Sequence, residues 1–288
     1  MLKEMLQAIR PRSGGVYLDG TLGSCGYSRA ILEESDPDGF VVGIDLDPEA
    51  IWKATERLER YQGRFIVVHG GFHQAGHILE SLGIFSVDAA VLDLGLSSEQ
   101  LEDSRRGFSF RSDGPLDMRF DTSSDHSLRE LLDQLSVQQL EDILLTYGEA
   151  RYFRKLARGI LLARDRGKIQ TTGDLANVVS RLIGKRRGKI HPATRTFQAL
   201  RISLNREMEN LSTALHQIPG FIKPGGRLCV VSYHSLEDRL VKLSFRERKR
   251  NPGRWKVITP KPIQPSPEEI LANPRARSAK MRVLEVVS

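Results

Sequence analysis

Through the first 95 residues, short apolar runs that end on a polar side chain alternate with stretches of helical periodicity. Val16-Tyr17-Leu18-Asp19 is the first run and Phe40-Val41-Val42-Gly43-Ile44-Asp45 the second. Phe65-Ile66-Val67-Val68-His69 and Val87-Asp88-Ala89-Ala90-Val91-Leu92-Asp93 follow. Largely apolar runs this short, rich in Val and Ile, read as buried strands. Tyr27 to Glu34 and Pro48 to Arg60 read as helices, the second with Pro in its first turn, where a missing N–H is harmless. This alternation predicts an α/β fold with a doubly wound parallel sheet, whose ligands lie beyond the carboxyl ends of the strands.

From about residue 100 the pattern changes. Residues 104–127 are rich in Gly, Ser, Asp and Arg and read as a long loop, and Leu128 to Arg187 carries helical periodicity without a convincing strand. Helices lodged between two α/β stretches predict an inserted all-helical domain. One long helix over 193–217 leads back to the sheet. On it Phe197, Leu200, Leu204, Met208, Leu211 and Leu215 recur every three or four residues and share a face. Gly225-Gly226 then turns into a strand over Arg227–Ser232. Ser244 to Pro274 is basic and Pro-rich and reads as mostly loop, and Met281 to Val287 offers a final strand. The expected organisation is a discontinuous catalytic domain, residues 1–101 and 200–288, interrupted by an insert at 102–199. A chain of 288 residues is long enough for both.

Composition then narrows the class. Hydrophobic residues at 40% and charged ones at 27% are globular values. No apolar run approaches the roughly 18 residues that span a bilayer. Met1-Leu2-Lys3-Glu4-Met5 does not read as the start of a signal peptide. Cys25 and Cys229 give neither a disulfide framework nor metal-ligand spacing, so no metal is expected and a reduced, cytoplasmic setting fits. The net charge of +7 is unevenly spread: the windows 181–195, 246–256 and 273–282 carry +6, +5 and +4, which leaves −8 elsewhere. A single such window is as readily a solvated face. Three on an otherwise acidic chain favour nucleic acid. The candidate phosphate contacts are Arg186, Arg187, Lys189, Arg195, Arg248, Arg250, Arg275 and Arg277.

The chemistry-bearing residues gather where strands end. Gly20, Gly23 and Gly26 form G-x-x-G-x-x-G between the first strand and its helix, not the G-x-G-x-x-G that seats a dinucleotide pyrophosphate. Asp45 closes the second strand, where an acid accepts hydrogen bonds from ribose hydroxyls. Asp19 closing the first strand disfavours a pyrophosphate beside it, so a cofactor with ribose but no phosphate, such as S-adenosylmethionine, suits the pair better. Asp93 closes the fourth strand, and a carboxylate at that edge is the residue most readily given a function. Ser97-x-x-Gln100 and Ser235-x-x-Asp238 also read as capping boxes that open helices. A lone His234 is more often structural.

Taken together, these strings resemble a known family. Asp19-Gly-Thr-Leu-Gly, Asp93-Leu-Gly-Leu-Ser-Ser, Gly107-Phe-Ser-Phe-Arg, Asp113-Gly-Pro-Leu-Asp-Met-Arg119 and Tyr147-Gly-Glu149 are followed by His191-Pro-Ala-Thr-Arg-Thr-Phe-Gln-Ala-Leu-Arg201, His234-Ser-Leu-Glu-Asp-Arg239 and Asn273-Pro-Arg-Ala-Arg-Ser278. In this order, across nearly the whole chain, they are similar to the bacterial small-subunit (16S) ribosomal RNA cytosine-N4 methyltransferases, the RsmH, formerly MraW, family. The resemblance implies a class I, Rossmann-like methyltransferase sheet with a helical RNA-recognition insert. It implies methyl transfer from S-adenosylmethionine to N4 of a cytidine in the decoding region, within the assembled small subunit. Cofactor contacts carry over to Cys25, Gly26, Tyr27, Asp45, Phe72, Asp93 and Gln100, and His234 joins the RNA-facing set. The family usually has Gly and His where this chain has Cys25 and Tyr27. It also begins with a short His-x-Pro-Val segment, whereas this sequence starts inside the following helix.

Aligned in-line attack is the main catalytic requirement, and the flattened exocyclic amine of cytosine is the obstacle. An acceptor for one amine N–H favours a pyramidal nitrogen and stabilises its developing positive charge. Asp93 is the expected acceptor, acting on an unpaired or flipped base. The residues by themselves leave two other readings open, a non-catalytic RNA-binding assembly factor and a nicotinamide-dependent oxidoreductase. They also leave DNA or protein as the methyl acceptor, and the oligomeric state, a dimer included.

Overall fold

The structure, a computed structural model, describes residues 1–148, 152–184, 191–250 and 253–287. In chain order it opens with α1 (Leu2–Ile9), β1 (Val16–Asp19), α2 (Gly26–Glu34), β2 (Phe40–Asp45), α3 (Pro48–Arg57), β3 (Phe65–His69), α4 (Ala75–Ser81) and β4 (Val87–Asp93). Among the described residues six helices follow without a strand: α5 (Ser98–Glu102), α6 (Leu128–Gln134), α7 (Val137–Thr146), α8 (Phe153–Asp165), α9 (Thr172–Ile183) and α10 (Thr194–Leu204). The chain ends with α11 (Glu207–Gln217), β5 (Ile222–Ser232), α12 (Ser235–Arg248), β6 (Trp255–Val257), α13 (Pro267–Ala272) and β7 (Lys280–Val286). Two compact units result, Met1–Gly95 with Met208–Ser288, and Leu96–Glu207. Among the described residues no helix is long and apolar enough to cross a membrane.

The first unit is built on a seven-stranded sheet of order β3-β2-β1-β4-β5-β7-β6. β1 pairs in parallel with β2 and β4, and β7 runs antiparallel to both β5 and β6. Successive strand residues face opposite sides, and both sides are buried. Leu18, Val42, Leu92, Leu228 and Val230 pack with α4, α11 and α12, while Tyr17, Val41, Val91, Cys229 and Val231 pack with α1, α2 and α3. That explains why the strands read as nearly continuous apolar runs. The strand order reverses between β1 and β4, and the crevice beyond their carboxyl ends is where such sheets bind ligands.

The second unit has its own apolar core from α6 to α10, with Leu128, Leu140, Ile160, Leu175 and Leu200 fully buried. The Gly-rich stretch before α6 is tied down from within. Arg106 donates to the carbonyls of Arg119 and Phe120 at 3.0 and 3.1 Å, and Asp117 pairs with Arg119 at 2.7 Å. Asp113 accepts from the N–H of Gly173 in the first turn of α9 at 2.8 Å. A Cβ on Gly114 would fall 1.9 Å from the Ser104 carbonyl, so this close approach admits only glycine. Most of the Asp113–Arg119 string is thereby explained as folding chemistry.

Three expectations are corrected. The single helix over 193–217 is two helices, broken at Asn205 and Arg206, the latter at a left-handed φ of 51°. Asn205 spends its side chain on the second unit, donating to the Met118 carbonyl at 2.9 Å and accepting from the Phe120 N–H at 2.8 Å. The expected stripe is consequently shared between two cores: Phe197, Leu200 and Leu204 belong to the second unit, Met208, Leu211 and Leu215 to the first. Secondly, β5 begins at Ile222 rather than after Gly226, because a register irregularity opposite Val87 and Ala89 absorbs the glycines within the strand. Thirdly, the loop expected over 244–274 starts later and is interrupted. α12 continues to Arg248 on the buried Val241 and Phe245, and β6 and α13 lie beyond it.

Candidate active site

Three acids stand at the carboxyl ends of β1, β2 and β4. Asp19 is fully buried, accepts from Ser28 Oγ at 2.6 Å, and is pushed up to about 6 by burial, which those hydrogen bonds only partly oppose. The glycine loop then crosses β2 through the Leu22 N–H, which donates to the Ile44 carbonyl at 3.0 Å. Cys25 caps α2 at a left-handed φ of 66°, a conformation a non-glycine residue adopts at a cost of order 1 kcal/mol or more. Of the loop glycines, Gly20 is a close approach, since a Cβ there would sit 2.5 Å from Leu92 Cδ2 and 3.1 Å from Phe72 Cβ. A Cβ on Gly26 would meet nothing within 4 Å, so the first turn of α2 faces open space.

Asp45 organises the other side of this loop. Its Oδ2 accepts from the Gly23 N–H at 2.8 Å and its Oδ1 from the Asp47 N–H at 2.9 Å. Burial raises its pKa and these two amides oppose the rise. Each oxygen keeps a lone pair for a further donor. Phe72 follows β3 in a short 3-10 turn, and its Cβ lies close to Gly20.

Asp93 is the most perturbed of the three. Its N–H donates to Thr21 Oγ1 at 2.6 Å, which locks the end of β4 to the glycine loop. Its Oδ1 is buried without a hydrogen-bond partner. Burial pushes it up to about 7; the nearby Tyr233 hydroxyl opposes the rise and the neighbouring Asp19 adds to it. Tyr233, directly after β5, lies against Gly95, 3.6 Å from where a Cβ would stand. Tyr233 and Thr21 were not expected at the site from the sequence. The position of Tyr233 just past a strand end was the signal that could have found it.

Cys25, Gly26, Tyr27, Asp45, Phe72 and Asp93 all belong to the first unit, whereas Gln100 belongs to the second. There Gln100 completes the expected capping box: Ser97 Oγ accepts from its N–H at 3.1 Å, and its Oε1 accepts from the Ser97 N–H at 3.0 Å. The box expected at Ser235 and Asp238 falls one residue earlier. His234 is the N-cap of α12, its Nδ1 accepting from the Glu237 N–H at 3.3 Å, and buried Glu237 accepts from the N–H groups of Tyr233 and His234 at 2.8 and 3.2 Å. Asp238 instead holds Arg282 at 2.7 Å and Lys280 at 3.3 Å, which takes two charges out of the third basic window.

Arg248 is redirected as well. It is half-buried, donates to the carbonyls of Leu215 and His216 at 2.7 and 2.9 Å, and stacks on Trp255 at 4.8 Å. Those are the open carbonyls at the end of α11, and a cation there satisfies them. Arg195, Arg250, Arg275 and Arg277 are exposed, and Arg186, Arg187 and Lys189 lie outside the described residues.

The donor set suits a nucleoside cofactor without phosphates. It offers acids at three strand ends, an open helix start at Gly26, and an unsatisfied carboxylate oxygen at Asp93. With the strand order 3-2-1-4-5-7-6 this is the Rossmann-like class of S-adenosylmethionine-dependent methyltransferases. The family model described as the MraW methylase family matches residues 1–287, and the chain belongs to that family. It is similar to proteins named ribosomal RNA small subunit methyltransferase H. The one from Thermomicrobium roseum is 45% identical, over 100% of this chain and 93% of its own. That from Citrifermentans bemidjiense is 45% identical, over 99% and 96%. That from Sorangium cellulosum is 47% identical, over 97% and 87%. Family membership removes the nicotinamide-dependent oxidoreductase from the readings.

Proposed function

We propose that this methyltransferase acts on small-subunit (16S) ribosomal RNA, methylating N4 of a cytidine in the decoding region, with Asp93 as the group that receives the amine. The observation that carries the catalytic assignment is the buried, unpartnered Oδ1 of Asp93 at the carboxyl end of β4. The substrate assignment is supported by the shared name of the relatives and by the motifs in the sequence.

When bound, S-adenosylmethionine supplies an electrophilic methyl group on its sulfonium. Asp45 would receive the ribose hydroxyls, and Cys25, Gly26, Tyr27 and Phe72 would hold the rest of the cofactor. Asp93 accepts an N–H of the incoming exocyclic amine, which concentrates the nitrogen lone pair and stabilises positive charge on nitrogen as the new bond forms. The proton leaves after transfer, since the methylated ammonium is strongly acidic. Arg195, Arg250, Arg275 and Arg277 hold backbone phosphates around the target, together with Arg186, Arg187 and Lys189. The assembled small subunit is the substrate form, which places the work in the cytoplasm.

Tritiated-methyl transfer to small subunits lacking the modification tests this. The wild-type chain labels one cytidine, mapped by mass, and Asp93→Ala loses at least about 100-fold in rate, the scale of one preorganised polar contact, while still binding RNA. Label on another RNA, DNA or protein overturns the substrate assignment. An absence of label would return the chain to the RNA-binding assembly-factor reading, and full turnover by Asp93→Ala would remove Asp93 from the reaction.

A further inference from the structure

Two of the motif strings, Gly107-Phe-Ser-Phe-Arg111 and His191-Pro-Ala-Thr-Arg195, have no part in the methyl transfer itself, and they meet inside the second unit. The Phe110 ring lies 4.7 Å from the His191 ring, centroid to centroid, with the planes 33° apart. Phe197 meets Phe110 edge-on at 4.8 Å and is buried in the core of that unit. Both separations are those of paired aromatic rings. The stack therefore runs outward, from buried Phe197 through half-buried Phe110 to His191, which is exposed. His191 is also pinned by its own ring: Nδ1 accepts from the Ala193 N–H at 3.2 Å, just ahead of α10. An accepting Nδ1 carries no proton, so the N–H of the ring is at Nε2. Capping alone does not call for this residue, since Ser, Asp or Asn more commonly accepts from such an amide and exposes no ring. Exposed arginines adjoin the stack in the chain, Arg111 directly after Phe110 and Arg195 in the first turn of α10.

Resting on the RNA reading of the substrate, we infer that His191, backed by Phe110, is a stacking platform for an unpaired base of that RNA. Single-stranded RNA is commonly held this way, with an unstacked base laid on an aromatic or imidazole ring. Every base has a π-face, and a ring already fixed in place loses little side-chain entropy when one settles on it. The Nε2–H at the edge of the ring offers one donor to the same nucleotide. Arg111 and Arg195 hold the flanking phosphates, so charge and stacking act side by side. A neutral stack releases no counterions, and its share of the affinity therefore differs in kind from that of the arginines.

His191→Ala and His191→Tyr test this in the full chain at about pH 8, where ordinary imidazoles are uncharged. Binding to small subunits lacking the modification is measured across a range of salt concentrations. His191→Ala should weaken binding about tenfold at every salt concentration, the scale of one stacked base, with the salt slope unchanged. His191→Tyr restores an aromatic face and should recover most of the loss. A short single-stranded RNA carrying a fluorescent aminopurine gives a second readout. The wild-type chain should quench that base by stacking on it, and His191→Ala should not. Wild-type affinity and quenching in His191→Ala, a flattened salt slope, or a Tyr variant as weak as the Ala variant overturns the inference and leaves His191 as a helix cap. A wild-type chain that binds no small subunit overturns the RNA reading instead. Binding that His191→Ala leaves untouched overturns the platform alone.

Discussion

Asp93 holds a chemistry in tension with the stability of the fold. The folded-state values of Asp93, about 7, and Asp19, about 6, lie above the ordinary carboxylate range. Between about pH 4 and pH 7 the folded state therefore holds more protons than the unfolded one, and stability falls as pH rises through that window. The full destabilisation is present above it. Asp93→Asn should raise the melting temperature at pH 8, by about 2 °C or more for a chain this long, and leave it nearly unchanged at pH 4, where the wild-type carboxyl is already protonated. Equal shifts at both pH values, or none at pH 8, would show that burial of this charge does not oppose folding. At this scale the sequence was most legible where a polar residue closes an apolar run, as with Asp45 and Asp93. It was least legible at Tyr233, whose place against Gly95 at the end of β4 depends on the pairing of β4 with β5.

Among the elements, the break between α10 and α11 departs most from periodicity. The apolar spacing from Phe197 to Leu215 is continuous, so the sequence read one helix, but spacing says nothing about what competes for the backbone. Asn205 competes by serving two backbone groups of a loop 85 and 87 residues away. Arg201 and Glu207 then bridge the break with a pair of bonds at 2.7 and 2.8 Å. Asn205→Ala leaves the Phe120 N–H and the Met118 carbonyl unpaired, at a cost of about 2 kcal/mol. Hydrogen exchange at the Phe120 amide should accelerate at least tenfold in that variant. Unchanged exchange would mean that Asn205 follows the break rather than causing it.

For the whole molecule, the three basic windows resolve into two kinds of arginine. Arg248 caps a helix and Arg282 is an internal ion-pair partner, while Arg250, Arg275 and Arg277 are exposed. Changing Arg250, Arg275 and Arg277 together to Ala should reduce the salt slope of RNA binding by about two, at roughly 0.7 per phosphate contact with single strands. Arg248→Ala should leave that slope alone and lower the melting temperature instead. An unaltered slope in the triple variant would make those three arginines a solvated face. The sequence by itself determined the parallel part of the sheet, the strand-end acids and the helical stretch between the two sheet segments, because these depend on local periodicity and on which residue closes each strand; the antiparallel pairing of β7 was not legible in it, and the family came from the resemblance of its motif strings. Only the tertiary structure decided which arginines are spent inside the fold and where the helix breaks. Each of those depends on partners far away in sequence, and no local spacing encodes them.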